Sequence, residues 1–253
     1  MAVVFDFSGA RPTNEELRRH DLLGVMRYLA TGPQNAWKVL SISERNRLWA
    51  GGIPIWLVWE QDAGRPKQGY NAGAADARTA NELADHLEWP GDVPIAYAVD
   101  FDPTGWLPQI ADYFRGVLSV PGRPAGDYGS RDVVEMLARL EHNGRRVVIH
   151  WQCAGWSGAA TAEPMVRLDN PRGRRRRSLH ACMVQDVEGT RLAATDVNHV
   201  FGPVDFLYHP DQPRTAADHQ EMPTMKRLTH PTRAGIAGAE HVVTFDETGM
   251  PRR

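Results

Sequence analysis

The 253-residue sequence predicts an α/β fold: a (β/α)₈ TIM-type barrel with irregular later units and an extended C-terminal tail. Three observations predict it. Apolar runs of strand length alternate with stretches of helical periodicity. Eight such runs occur, which is the number of strands in this barrel. Several of the runs end in a carboxylate, and the carboxyl ends of barrel strands are where active sites form.

The strands are predicted from short apolar runs rich in Val, Ile and aromatic residues. The run at 94–102 is typical, because it reads PIAYAVDFD and turns polar at its end. The predicted strands are 2–7, 24–29, 53–59, 94–101, 124–128, 147–152, 180–185 and 192–197.

Helices are predicted between these strands from capping residues and periodicity. Thr13 with Glu16, and Ser41 with Glu44, have the spacing of capping boxes. Ser130 is a further N-cap candidate. The predicted helices begin at these three caps and at residues 71 and 105; their predicted ends include Gly51-Gly52, 87, 119 and Asn143-Gly144.

The later part of the chain is less regular. Residues 154–179 contain no helical pattern and include the basic run 172–177 (RGRRRR), so we expect a solvated loop there. We assign residues 1–208 to the barrel and residues 209–253 to an extended tail of unknown role, with one late strand at 240–245.

Composition excludes several classes of protein. The hydrophobic content of 42% and charged content of 24% are those of a globular domain. A net charge of −2 argues against a nucleic-acid binder, and no apolar run is long enough to insert into a membrane. The two cysteines, Cys153 and Cys182, cannot form a disulfide scaffold and lack metal-ligand spacing, so we expect buried thiols.

The first residues lead directly into a predicted strand, without the basic, apolar and cleavage regions of a signal peptide. We therefore expect synthesis and retention in the cytoplasm. Release by lysis of the cell, or incorporation into a phage particle, would be the routes by which the protein leaves it.

Carboxylates at strand ends are the candidate catalytic residues. Asp100 and Asp102 are spaced i, i+2, which on a strand places both side chains on one face. Asp6 ends the first strand, and Glu60 ends the third beside two tryptophans whose apolar setting should raise its pKa. Neighbouring carboxylates with different pKa values suit glycoside hydrolysis, where one protonates the leaving oxygen and another is base or nucleophile.

Other strand-end residues are candidates for binding substrate. Asp196 is predicted to lie beside Asp6, because the last and first strands of a closed barrel are neighbours. Arg27 is expected to balance the charge of this acidic mouth. Flat rings and amides suit sugars, which adds the aromatic and amide candidates Tyr128, Trp151, Gln152, Trp156 and Gln185.

Short motifs occur in order between residues 3 and 205. They are VFDFS (4–8), VMRY (25–28), LVWE (57–60), GYNAG (69–73), YAVDFD (97–102), YGS (128–130), HWQCAGWSG (150–158), Gln185 and DVN (196–198). Together they resemble the glycoside-hydrolase-like barrel domain found in actinobacterial secreted proteins and in phage lysins and tail proteins. The segment after residue 208 matches no family that we recognise.

That domain is similar to the family 25 lysozymes, which are (β/α)₈ muramidases with Asp-x-Glu at the end of strand four. This chain has Asp100-Phe-Asp102 there, so the carboxyl group in the acid position is one methylene shorter. The resemblance implies cleavage of cell-wall glycan, peptidoglycan above all, without a cofactor. Asp102 or Glu60 would be the acid, Asp100 the base, nucleophile or stabiliser, and Asp6 and Asp196 would orient sugar and water.

Two alternatives remain open. One is a non-catalytic glycan-binding or structural module, such as a phage tail or wall-associated protein, with the tail contacting other phage or wall proteins. The other is a metal-dependent phosphodiesterase in which Asp6, Glu60, Asp100 and Asp102 hold Mg²⁺ or Ca²⁺. The expected partner under the leading hypothesis is a cell-wall polysaccharide, with neither nucleic acid nor membrane insertion.

Overall fold

The computed structural model describes residues 3–20, 22–157, 177–185 and 195–212. Nine strands are found there, and eight of them close into a barrel, which confirms the predicted fold class. The barrel strands are β1 (Val3–Asp6), β2 (Leu22–Leu29), β3 (Ile55–Trp59), β4 (Ile95–Ala98), β5 (Ala125–Gly129), β7 (Arg145–Cys153), β8 (Met183–Gln185) and β9 (Asp196–Val200), while β6 (Glu141–His142) pairs only with β7.

The last strand departs from a regular TIM barrel. β9 runs antiparallel to both of its neighbours, β8 and β1, whereas the other barrel pairs are parallel. The sequence between Gln185 and Asp196 is shorter than the dozen or more residues that a parallel crossover needs, which favours antiparallel pairing of β8 and β9. The strand predicted at 192–197 therefore begins four residues later, at Asp196, and runs in the opposite direction.

Five α-helices pack outside the barrel in the described part of the chain. They are α1 (Asn14–Arg18), α2 (Ile42–Ala50), α3 (Tyr70–His86), α4 (Leu107–Ser119) and α5 (Arg131–Leu137). Thr13 and Glu16 form the predicted capping box, and Ser130 caps α5. Ser41 also caps its helix, but no reciprocal bond from Glu44 is present, because the Glu44 carboxylate pairs with Arg27 instead.

The helix that begins at Ser130 ends earlier than predicted. Helix α5 stops at Leu137, and Asn143-Gly144 forms the tight turn between β6 and β7. Both turn residues have positive φ, 52° and 71°, which is the backbone conformation that an Asn-Gly hairpin turn adopts. The dipeptide is therefore a hairpin signal here and not a helix stop.

Two apolar layers surround the sheet. One lies between the strands and the helices, and the other fills the barrel interior with residues such as Met26, Trp56, Trp151 and Met183. This division follows the alternation of side chains along each strand.

The segment 201–212 closes the amino end of the barrel. Phe206 is 1% exposed, and its ring centroid lies 4.3 Å from that of Trp56 inside the barrel. Tyr208 exchanges backbone hydrogen bonds of 2.8 and 2.9 Å with Ile55. Most of the loop predicted at 154–179 (residues 158–176) lies outside the described residues, and so does the predicted tail beyond residue 212 with its predicted strand at 240–245.

We expect Phe206→Ala to lower the free energy of unfolding by about 3–5 kcal/mol, because it removes a buried ring and leaves a cavity beneath Trp56. Urea unfolding followed by tryptophan fluorescence measures this change. Leu179→Ala is the control, since that side chain is 67% exposed and should change stability by less than about 0.5 kcal/mol. Equal effects of the two substitutions would contradict a plugging role for Phe206.

Candidate functional site

A cavity of about 290 Å³ opens at the mouth of the barrel. The carboxyl ends of the parallel strands meet there, and so does the amino end of the reversed strand β9. Its wall carries the carboxylates of Glu60, Asp100 and Asp196, the thiol of Cys153 and the amide of Gln185. Four aromatic side chains also line it: Tyr28, Tyr128, Trp151 and Trp156.

Asp6 lies fully buried at the end of β1 and accepts three side-chain hydrogen bonds. Asn198 donates to Oδ2 at 2.8 Å, Gln185 donates to the same oxygen at 3.1 Å, and the Tyr28 hydroxyl lies 3.3 Å from Oδ1. Burial, followed by the charge of Asp196, raises the pKa of Asp6 to about 7, although the three hydrogen bonds oppose the rise. Asp6 can therefore carry a proton near neutral pH.

Asp196 faces Asp6 across the β1–β9 ladder, so the two predicted neighbours are indeed adjacent. Gln185 links them, because its Nε2 also donates to Asp196 Oδ2 at 3.2 Å. Burial raises the pKa of Asp196, and the charge of Asp100 adds to the rise. The reversed direction of β9 is what brings this residue to the mouth, because Asp196 is its first residue.

Asp100 lines the cavity, and its Oδ1 accepts a hydrogen bond of 2.8 Å from the indole N–H of Trp156. Trp156 is 41% exposed, so this hydrogen bond holds a partly open ring at the rim of the cavity. The carboxylate therefore has a fixed orientation beside an open aromatic face.

Asp102 does not share this position. It is exposed, does not line the cavity, and accepts hydrogen bonds from the Thr104 hydroxyl (2.7 Å) and backbone N–H (3.0 Å). These bonds lower the pKa of Asp102. The expectation that it projects together with Asp100 is wrong, because β4 ends at Ala98 and the alternation of a strand does not extend to residue 102.

Glu60 lines the cavity directly after β3 and forms an ion pair with Lys38, with 2.8 Å between Oε1 and Nζ. Burial raises the pKa of Glu60, as expected, while the hydrogen bond and the charge of Lys38 oppose the rise. The Lys38 ammonium also lies 5.6 Å from the centroid of the Tyr28 ring. Sequence reasoning missed Lys38, which stands in a loop with no motif around it.

Arg27 was expected to balance the acidic mouth, and this expectation is wrong. Alternation along β2 turns Tyr28 into the cavity and Arg27 to the outer face of the sheet. There Arg27 is fully buried, pairs with Glu44 at 2.8 Å and donates to the carbonyls of Phe7 and Lys38. Arg27 therefore anchors helix α2 to the barrel.

The aromatic and amide candidates divide in the same way. The Tyr128 hydroxyl donates to Gln185 Oε1 at 2.5 Å, and the Trp151 indole donates to Asn198 Oδ1 at 2.7 Å, so both rings are fixed within the cavity wall. Gln152 is buried but does not line the cavity, and its Oε1 accepts the backbone N–H of Ser178 at 2.7 Å. The expectation that Gln152 binds substrate is corrected accordingly.

Asn198 is a further residue that the sequence alone did not single out as functional. It donates to Asp6 and to the carbonyl of Val4, and it accepts from Trp151, so one amide connects β1, β7 and β9. Its place in the DVN motif at 196–198 was the available signal.

Neither a metal site nor a membrane span is found in the part of the chain that the structure describes. No group of three His, Cys, Asp or Glu side chains there could hold a metal ion, so the phosphodiesterase hypothesis gains no support. None of the described helices is both long and apolar enough to cross a membrane.

The family profile described as "Rv2525c-like, glycoside hydrolase-like domain" matches residues 15–200. The chain belongs to this family. The resemblance inferred from the short motifs is therefore confirmed, and the barrel is a glycoside hydrolase-like domain. No curated protein matches the chain significantly.

Several solved structures have the same fold. The Tat-secreted protein Rv2525c of Mycobacterium tuberculosis, in complex with HEPES, has a TM-score of 0.63 and 21% identity over 80% of this chain and 96% of that one. An uncharacterized B. stearothermophilus protein has a TM-score of 0.57 and 17% identity, over 82% of this chain and 100% of that one. The catalytic domain of endolysin ply40 from Listeria monocytogenes bacteriophage P40 has a TM-score of 0.50 and 17% identity, over 81% of this chain and 95% of that one. These likenesses show the fold.

The expectation of retention in the cytoplasm is wrong as an inference from the first residues. Rv2525c shares the barrel and is a Tat-secreted protein, so this fold is compatible with export. The start of the given sequence therefore does not argue for a protein that stays in the cell.

The proton on Asp6 predicts how stability depends on pH. Its pKa is about 7 in the folded protein, above the ordinary value near 4, so the folded state binds this proton more tightly. Stability from this group is fully present below about pH 4 and is lost as pH rises through 7. We expect a slope that approaches about −1.4 kcal/mol per pH unit between these values.

Urea unfolding of wild type and Asp6→Asn at several pH values between 4 and 8 measures this slope. The Asp6→Asn protein should lack the component that Asp6 contributes, whereas Asp102→Asn, altered at an exposed site, should retain it. An unchanged slope in Asp6→Asn would show that Asp6 is ionised well below pH 7.

Proposed function

We propose that the protein is a glycoside hydrolase that acts on cell-wall glycan, with peptidoglycan as the substrate to test. One observation carries the proposal: the cavity brings the carboxylates Glu60, Asp100 and Asp196 together between aromatic rings at the mouth of the barrel. Carboxylates with separated pKa values supply the acid and the base or nucleophile of glycoside hydrolysis.

Asp196 is the general acid in this proposal. Its pKa is raised by burial and by Asp100, and it forms no salt bridge with any residue in the described ranges. Asp6 lies behind it, joined through Gln185, and carries a proton near pH 7. A raised pKa favours the protonated form of Asp196, which is the form that can deliver a proton to the leaving oxygen of the sugar.

Asp100 is the nucleophile, or the charge that stabilises the oxocarbenium-like transition state. The Trp156 indole fixes one of its oxygens at the rim, where a sugar ring would stack. Glu60 is bound by Lys38, which favours its ionised form against the effect of burial, so its role is to orient sugar hydroxyls or water. Asp102, which lies outside the cavity, has no part in this mechanism.

The comparisons support the choice of a wall glycan. The chain belongs to a glycoside hydrolase-like family, and its barrel is similar to the catalytic domain of a phage endolysin. Rv2525c, with the same fold, is secreted. We propose that this protein likewise meets its substrate outside the membrane.

We expect Asp100→Asn and Asp196→Asn each to lower the rate of glycan cleavage by about 10²-fold or more, because each removes a carboxylate that takes part in the chemistry. Asp102→Asn should retain activity and is the matched control, two residues away on the same loop. Incubation with purified peptidoglycan, followed by mass spectrometry of the soluble fragments, measures cleavage. Loss of activity in Asp102→Asn with full activity in Asp100→Asn would overturn the assignment.

A second function is favoured by one observation. Asp102 occupies the position of the acid in the similar muramidases, yet it is exposed and bound to Thr104. A barrel with its acid displaced could serve as a glycan-binding module. Co-sedimentation with insoluble walls, without any soluble fragment after long incubation, would establish this function in place of hydrolysis.

A further inference from the structure

The cavity carries negative charge that the described protein does not neutralise. Lys38 pairs with Glu60, but neither Asp100 nor Asp196 forms a salt bridge with a described residue. Asp6 lies outside the cavity lining and keeps its proton near pH 7, so it adds little charge. Arg27, which precedes the cavity residue Tyr28 on β2, is directed to the opposite face of the sheet and is bound by Glu44. Buried charge without a partner is costly, and a ligand of opposite charge would offset that cost.

These carboxylates also repel one another. Burial is the main cause of the raised pKa values of Glu60, Asp196 and Asp6, but charge adds to it: Asp100 acts on Glu60 and Asp196, and Asp196 acts on Asp6. These effects show that the carboxyl groups lie close enough to influence one another electrostatically. A single positive charge placed in the cavity would interact favourably with those carboxylates that are ionised.

The rest of the wall also suits a cation. Four aromatic side chains line the cavity: Tyr28, Tyr128, Trp151 and Trp156. The rings of Tyr128 and Trp151 lie with centroids 4.3 Å apart and planes inclined at 56°, so they form a corner and not a flat platform. Aromatic faces attract cations, tryptophan most strongly, and rings arranged around a site are a common way to bind an organic ammonium group.

A metal ion is a poorer match than an organic cation. Ca²⁺ takes six to eight oxygen ligands and Mg²⁺ a near-octahedral set. No group of three His, Cys, Asp or Glu side chains converges in this way within the described part of the chain. A cavity lined by both carboxylates and aromatic rings suits an organic ammonium ion.

We propose that the cavity binds a sugar bearing a protonated primary amine, so that the substrate class is a glycan with free amino groups and not one that is fully N-acetylated. The sugar part of this ligand follows from the proposed function, on which the inference rests. The amine part follows from the charge and the aromatic lining of the cavity. An acetylated nitrogen is neutral and gains neither the ion pairs nor the cation–π contacts. The glycan would place its ammonium between the Asp100 carboxylate and the ring of Trp156.

Calorimetric titration with two tetrasaccharides of equal length tests this inference: one of β-1,4-linked glucosamine and one of β-1,4-linked N-acetylglucosamine. At pH 6 the amine is protonated, and we expect the glucosamine tetramer to bind about tenfold more tightly, the effect of one added cation contact. Equal affinities, or tighter binding of the acetylated tetramer, would overturn the inference.

Two variants locate the effect. Asp100→Asn should lower affinity for the glucosamine tetramer about tenfold and change that for the acetylated tetramer little, because only the amine loses a charged partner. Asp102→Asn, outside the cavity, should leave both affinities unchanged. Thermal melts confirm that each variant is folded. A loss in Asp102→Asn equal to that in Asp100→Asn would place the amine elsewhere and overturn the inference.

Failure of this inference and failure of the proposed function have different signatures. Cleavage of the acetylated tetramer without preference for the amine would overturn the inference and leave the hydrolase intact. Preferential binding of the glucosamine tetramer, with no cleavage of any glycan, would support the inference and overturn the hydrolase. Binding of neither tetramer would overturn the inference, and cleavage of peptidoglycan would then decide the hydrolase alone.

Discussion

Closure of the barrel by a reversed last strand is the constraint on which the candidate site depends. Because β9 runs antiparallel to β1 and β8, its first residue reaches the same end of the barrel as the last residues of the parallel strands. Asp196 thereby faces Asp6, and Asn198 reaches Asp6, Val4 and Trp151 from within the barrel. In a parallel strand of the same sequence, Asp196 would begin at the opposite, plugged end.

Burial of this cluster creates its chemistry. Burial disfavours the charged forms of these carboxyl groups, and their charges add to this effect. The pKa of Asp6 therefore rises to about 7, and the pKa values of Glu60 and Asp196 are also raised. The same burial explains why hydrogen bonds from Gln185 and Asn198 are needed, since a carboxyl group without them would be costlier still. A proton-carrying group and an ionised group can thus coexist in a small space, which both the hydrolytic proposal and the ammonium proposal require.

Three candidate residues were placed wrongly, for two reasons: a strand turned the other face inward, or it ended earlier than predicted. Asp102, Gln152 and Arg27 were assigned to the mouth from their place in or near a strand, yet each lies elsewhere. Two of them are on the outer faces of β2 and β7, and Asp102 comes after β4 has ended. Alternation assigns a residue to one of two faces, but which face is inside depends on how the sheet curves.

The sequence by itself determined the fold class, the positions of most strands and helices, the family, and the carboxylates at three strand ends. These are local properties, because periodicity, caps and short motifs are written in neighbouring residues. Only the tertiary structure decided the direction of β9, the pairing of Lys38 with Glu60 and the exclusion of Asp102. Each of these depends on where a strand ends or on contacts between distant segments, and closure of the barrel sets both of them.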